Sequence, residues 1–139
     1  MGAINELAAT YGDVAEFYVV YIKEAHAADG ARPVPIQGEE AIYEPTSLVE
    51  RRAVAKKCAT KLKLKVPCLV DNMDNAVCTA YNAWPDRIYV VDTEGKIAVR
   101  SDRGPWGFKP GVDETAKWLA NRFPDRATSA SVQPAHDEG

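Results

Sequence analysis

His26, Asp86 and Arg103 are the residues of this 139-residue chain whose types and surroundings could do acid–base or anion chemistry. His26 follows closely on the apolar run EFYVVYI at 16–22, where a parallel strand would deliver it to the end of a sheet at which open α/β folds place their sites. An imidazole there, with its pKa near neutrality, could protonate a leaving phenol or hydroxide. The competing reading is a histidine on a solvated loop. Asp86, in Trp84-Pro85-Asp86, could hold His26 or a substrate amine, or simply serve a turn and an ion pair with Arg87. Arg103 lies in the loop DRGPWGFKPG and could grip an anionic group with its planar fork of donors, or remain a surface arginine. Trp106 and Phe108 in the same loop could wall an aromatic pocket or pack the loop onto a sheet.

The three cysteines offer less. Cys58, Cys68 and Cys78 are odd in number, ten apart, and form no Cys-x-x-Cys pair, which argues against a paired disulfide framework or a zinc site. Cys58 falls on an apolar helix face and Cys68 in an apolar strand, so both read as core thiols. Cys78 reads as the accessible one, with nothing near it in sequence to lower its pKa.

The elements that must position these groups follow from periodicity. Ile4, Leu7, Ala8 and Tyr11 recur at helical spacing, and Gly12 suits a C-cap. Residues 16–22 read as a strand covered on both faces. Residues 23–44, with Asp29-Gly30, Pro33, Pro35 and Gly38, read as a long loop. A capping box, Ser47 and Glu50, opens a helix over 47–63. Its lysines, with Lys63 and Lys65, form a basic run that reads as a solvated face, with an anion-binding surface as the weaker alternative. A short strand at 66–70 ends at Asp71. A short helix over 75–81, a hairpin of strands 88–91 and 96–100, and an amphipathic helix over 112–123 complete the order. A βαβ part followed by ββα argues α/β with a mixed sheet. Residues 1–123 read as one domain and 124–139 as a disordered tail.

Composition bounds the function. The chain is 46% hydrophobic and 27% charged, as globular chains are. A net charge of −3 gives no reason to expect nucleic acid or an anionic membrane as partner. No apolar run approaches a membrane span, and Met1–Leu7 lacks a basic signal-peptide start, so a cytoplasmic location is expected.

Two segments are more specific: VVYIKEAHAADG at 19–30, and WPDRIYVVDTEGKIAVRSDRGPWGFKP at 84–110. With VPCLVDNMDNAVCTAYNAWPD leading into the second, they resemble the iodothyronine deiodinases over roughly residues 3–123. That resemblance implies a thioredoxin-like mixed sheet flanked by helices, related to the peroxiredoxins. It implies an oxidoreductase in which a cysteine or selenocysteine after the first strand takes iodine from an iodothyronine-like phenol, or reduces a peroxide. A thiol reductant then regenerates the nucleophile, and no bound cofactor or metal is needed. Residue by residue, His26 falls on the family's active-site histidine, Asp86 on the glutamate of its Pro-Glu-Arg motif, and Arg103 on an arginine ahead of Gly-Pro. Pro85 stands where thioredoxin folds hold a cis-proline that presents a backbone edge to the substrate.

Asp86 is one methylene shorter than that glutamate, and Ala31 replaces a frequent tryptophan. No cysteine precedes Cys58. The chain is therefore expected to start within the helix after the nucleophile, and to lack both the reactive residue and an internal strand. Such a domain would be inactive alone and would be marginal, dimerise or borrow a strand. A selenocysteine codon read as a stop would explain such a start. The alternative reading is a non-catalytic thioredoxin-like binding or dimerisation module.

Overall fold

A computed structural model describes residues 1–24 and 43–126. Helix α1, Gly2–Tyr11, precedes strand β1, Val19–Tyr21; helix α2, Leu48–Lys61, precedes strand β2, Cys68–Val70. Helix α3, Ala76–Tyr81, leads to the hairpin β3, Tyr89–Val91, and β4, Ile97–Arg100, and helix α4, Phe108–Arg122, follows. The class is mixed α/β, as the element order implied.

The local chemistry explains most boundaries. Ser47 Oγ accepts the Glu50 N–H at 3.2 Å, the first half of the capping box. The second half is displaced by one residue, because the Glu50 carboxylate turns to the Thr46 N–H and hydroxyl at 2.8 and 2.9 Å. These bonds, the backbone one first, hold its carboxyl below the ordinary range. The far end of α2 closes with Lys63 in the left-handed region (φ 53) and bonds from Lys63 N to Thr60 O and Leu64 N to Ala59 O. That is a Schellman ending with lysine where glycine is usual.

Helix α4 begins four residues earlier than the apolar pattern indicates. Pro110 falls at the third helical position, where the missing N–H has no intrahelical partner to lose. The Gly/Pro-rich stretch thus carries the first helical turn. Gly111 sits against the Ser101 side chain, so the helix rests directly on the end of β4.

Strand β1 differs from the expectation of a long strand covered on both faces. It has three residues, all only half-buried, and Tyr18 just before it is 56% exposed. The reason lies in the pairing. β1 pairs in parallel with β2 (Val19 with Cys68, Tyr21 with Val70), and β3 pairs antiparallel with β4 around a bulge at Val90/Val91. The single mixed sheet is therefore split into two two-stranded sheets. Among the described residues, the other edge of β1 and the other edge of β3 have no strand beside them.

Helices bridge the halves. Tyr11 of α1 packs on Phe123 after α4, with ring centroids 6.5 Å apart. Arg126 pairs with Asp13, so the chain stays on the fold three residues past the expected boundary at 123; residues 127–139 of the expected tail lie outside the described residues. Among the described residues the buried apolar set is small: Tyr11, Ala55, Cys78, Val99, Val112 and Leu119.

Buried polar groups do much of the organising. Asp71, 1% exposed, accepts the backbone N–H groups of Asn72, Val77 and Cys78 at 2.9, 3.0 and 2.9 Å. It supplies α3 with the acceptors that its N-cap, Asn75 in the left-handed region, does not provide. Replacing Asp71 by alanine leaves these donors unmatched. At about 1–3 kcal/mol for each buried donor, a loss of roughly 3 kcal/mol or more is expected in urea unfolding. Gly111→Ala, which forces a methyl into Ser101, is expected to cost about 1–3 kcal/mol by the same measurement.

Candidate active site

The carboxyl ends of β1 and β2 define the site. Strand β1 runs out to Glu24, and β2 to Asp71, whose N–H donates to Tyr21 O at 2.9 Å. Trp84 Nε1 donates to the Glu24 carbonyl at 3.4 Å, and Lys23 Nζ lies 5.5 Å from the Trp84 ring centroid. The segment entering β3 thus starts where β1 finishes. Ser101, just past β4, closes the same end: its hydroxyl accepts the Ile88 N–H at 2.9 Å and donates to Asp102 O. Arg87 Nε donates to Ser101 O at 2.8 Å.

Asp86, just ahead of β3, is held against the loop that follows β4. The Gly104 N–H donates to its carbonyl at 2.8 Å, and its carboxyl lies so close to the Gly104 Cα that a Cβ there would collide with both oxygens. Glycine is needed here for room. Burial pushes the Asp86 carboxyl above the ordinary range, and its Oδ1 has no hydrogen-bond partner. It is a half-buried acid whose ionised form is disfavoured by the loss of hydration. Three more buried polar atoms without partners belong to the same end: Tyr21 OH, Arg51 Nε and Asn75 Oδ1.

The other expected residues gather unevenly. The Trp84–Pro85 bond is cis, as is Gly104–Pro105. Arg103 immediately precedes Gly104, whose N–H donates to the Asp86 carbonyl. Its side chain is exposed, and among the described residues it has no ion-pair partner. Trp106 is 89% exposed, which rules out packing of its ring onto the sheet, whereas Phe108 is half-buried as the first residue of α4. His26, and most of the loop at 23–44, lie outside the described residues.

The cysteines reverse the expected order. Cys78, expected to be accessible, is the buried one at 6% exposure, and its N–H is held by Asp71. The cause is the turn of α3 over that carboxylate, which a sequence window around Cys78 does not reveal. Cys58 and Cys68 are half-buried rather than core. Burial raises both thiols, with the Glu24 carboxylate adding to the effect at Cys58, so neither is disposed to form a thiolate at neutral pH.

Some contributing residues were not singled out from sequence. Trp84 stands in the Trp-Pro-Asp triplet but carried no role, and Gly104 is legible only once Asp86 faces it. Arg51, 2% exposed, donates to Asn72 O at 2.8 Å and meets Glu44 at 3.5 Å, while Glu44 accepts the Glu24 N–H at 3.0 Å. An arginine beside Arg52 at the start of a basic helix gives no local sign of burial.

Comparison with known proteins places these elements in one group. Residues 1–123 match the family model described as iodothyronine deiodinase. The type I iodothyronine deiodinase of Xenopus laevis is 36% identical over 110 residues, 79% of this chain and 42% of that protein. The thyroxine 5-deiodinase of Gallus gallus is 35% identical over 118 residues, 84% and 43% of the two chains. The type II iodothyronine deiodinase of Gallus gallus is 29% identical over 136 residues, 96% and 48%. The chain spans less than half the length of these relatives.

A carboxyl raised by burial adds stability below the ordinary carboxylate range and loses it as pH rises through the raised value. Asp86→Asn, which cannot ionise, is therefore expected to be more resistant to urea than the parent at neutral pH. The difference should vanish below about pH 4. Gly104→Ala is expected to drive the carboxyl into water, seen as a downward shift of the Asp86 titration in carbon-13 NMR.

Proposed function

The chain belongs to the iodothyronine deiodinase family, and from that premise we propose that residues 1–123 are the supporting half of a thioredoxin-like reductive dehalogenation site. The match across 1–123 carries the reading, because it takes in every element around Asp86. The split sheet supports the thioredoxin-like detail: β1 and β3 each keep one edge on which a strand bearing a cysteine or selenocysteine could pair.

The chemistry of this reading balances without a metal or bound cofactor. A thiolate or selenolate takes the iodine of an iodinated phenol, and the C–I electron pair stays on the ring carbon, which then accepts a proton. Two thiols of a reductant convert the chalcogen–iodine bond back to the free nucleophile, releasing iodide and leaving as a disulfide. His26 delivers the proton and Asp86, its carboxyl pKa raised by burial, orients it or the phenol. Arg103 takes an anionic group of the substrate, and Pro85, Trp106 and Phe108 border the ring. A peroxide is the alternative substrate, with one oxygen passing to the nucleophile and the leaving oxygen taking the proton.

A non-catalytic binding module is favoured by one observation, that all three cysteines are held as thiols or buried. The assay that separates the readings is iodide release from an iodinated phenol with a dithiol. A polypeptide carrying a Cys or Sec strand ahead of residue 1 is expected to turn over, and His26→Ala to lower its rate on the order of 100-fold. Residues 1–139 alone are expected to be inactive. Turnover by them that vanishes on Cys→Ser change at 58, 68 or 78 contradicts the proposal. So does DNA upstream of codon 1 that encodes no such strand in frame. Phenol binding without turnover in the longer polypeptide identifies the binding module.

A further inference from the structure

The net charge of −3 conceals a separation. Between Arg51 and Val70 lie seven of the 17 Lys and Arg residues and none of the 20 Asp and Glu, so the rest of the chain carries ten cations against 20 carboxylates. Arg51 is buried; Arg52, Lys56, Lys57, Lys61, Lys63 and Lys65 are exposed. The helix explains their arrangement. Arg51 and Ala55 point inward, so positions 49, 53, 56, 57 and 60 face out, with Arg52 and Lys61 flanking them. Ala53, Lys56, Lys57, Thr60 and Lys61 line a shallow open hollow. Val49, at 76% exposure, opens this face, and Leu62, at 50%, lies past its end.

We propose that the outer face of α2, continued by Lys63 and Lys65, docks on the surface of an anionic phospholipid bilayer. Helix α2 alone extends about 21 Å at 1.5 Å per residue, which spreads its cations along a line rather than around one anion. Five of the six are lysines, whose stems cover apolar surface while the ammonium reaches water, rather than guanidinium forks fitted to a single phosphate. An exposed valine and leucine offer apolar contact at the two ends. The absence of any aromatic residue between 44 and 80 removes the stacking platform that single-stranded nucleic acid would use. The carboxylates that stand nearby have other engagements or neighbours: Glu50 is committed to Thr46, Glu6 adjoins Asn5, which bonds the backbone of Lys63 and Lys65, and Glu16, which lines a hollow with Lys65, accepts the Tyr18 hydroxyl. Lys57 and Lys61 also have contacts within the protein. The contact is peripheral, since no helix among the described residues is long and apolar enough to cross a membrane. The expectation of no membrane partner, drawn from net charge, averages over this separation.

Vesicle flotation of the 139-residue chain tests the face. At about 0.1 M salt, vesicles of phosphatidylcholine with roughly one third phosphatidylserine are expected to carry on the order of tenfold more protein than phosphatidylcholine alone, and to release it near 0.5 M. The variant Arg52→Gln, Lys56→Gln, Lys63→Gln, Lys65→Gln is expected to lose that preference with its circular dichroism unchanged. A control with Lys96→Gln, Lys109→Gln and Lys117→Gln should retain most of it. Equal binding to both vesicles, or loss of binding in both variants alike, overturns the proposal. So does poly-glutamate that binds the parent chain at concentrations where the anionic vesicles do not, an outcome that assigns the face to an acidic polypeptide.

Discussion

Among the described residues the largest fully buried side chains are charged, and the ends of the parallel strands are held by them. Asp71 lies in the turn that ends β2, and Arg51 reaches that turn from the first turn of α2. Burying an ionised group is tolerated only when hydrogen bonds replace its hydration. Asp71 meets that condition by drawing in the first N–H groups of α3. Arg51 meets it by holding the carbonyls after β2 and the Glu44 carboxylate, which in turn fixes the amide of Glu24. The carboxyl ends of both parallel strands are thereby tied to α2 and α3 through polar bonds. These bonds are directional, and they set the positions of the chain where apolar packing alone would allow sliding.

This reliance on polar bonds goes with a small apolar core. Among the described residues only six hydrophobic ones of the core set are buried, and the three side chains of β1 are each only half covered. A parallel pair of three residues per strand supplies few ladder bonds, and its unpaired edge exposes backbone groups of the kind that attract another strand. The hairpin is better supported, because α4 rests on β4 and Val99 is almost fully buried between them. The two halves thus differ in how completely their faces are covered. The less covered half carries the strand that leads to Glu24 and the Trp84 contact.

Much of this was legible in the sequence where the signal is local. Ser47 with Glu50, the Asp92–Gly95 turn, and the helical spacing before Gly12 each depend on residues within a few positions, and each element formed within a residue or two of its expected span. The deiodinase likeness was carried by the segments at 19–30 and 84–110, and the family match covers them both. What failed depends on distant residues. The start of α4 was hidden because proline and glycine mark loops by habit, yet Pro110 fits a first turn. The burial of Cys78 follows from Asp71, seven residues away, and the burial of Arg51 from carbonyls twenty residues on. No window along the chain contains those partners.

Asp86 shows why such long-range constraints matter for chemistry. Its placement rests on Gly104, eighteen residues later, and its protonation bias rests on burial that Gly104 permits. An aspartate carries its carboxyl on a shorter stem than a glutamate, so the loop must come to it, and a glycine lets the backbone approach that closely. The arrangement keeps one acid oxygen buried and unbonded, a cost that folding alone would not favour. Tyr21 and Asn75 likewise keep a buried polar atom without a partner. With Cys78 buried and the thiols of Cys58 and Cys68 raised by burial, the described residues bring an acid, and no ready thiolate, to this end of the strands.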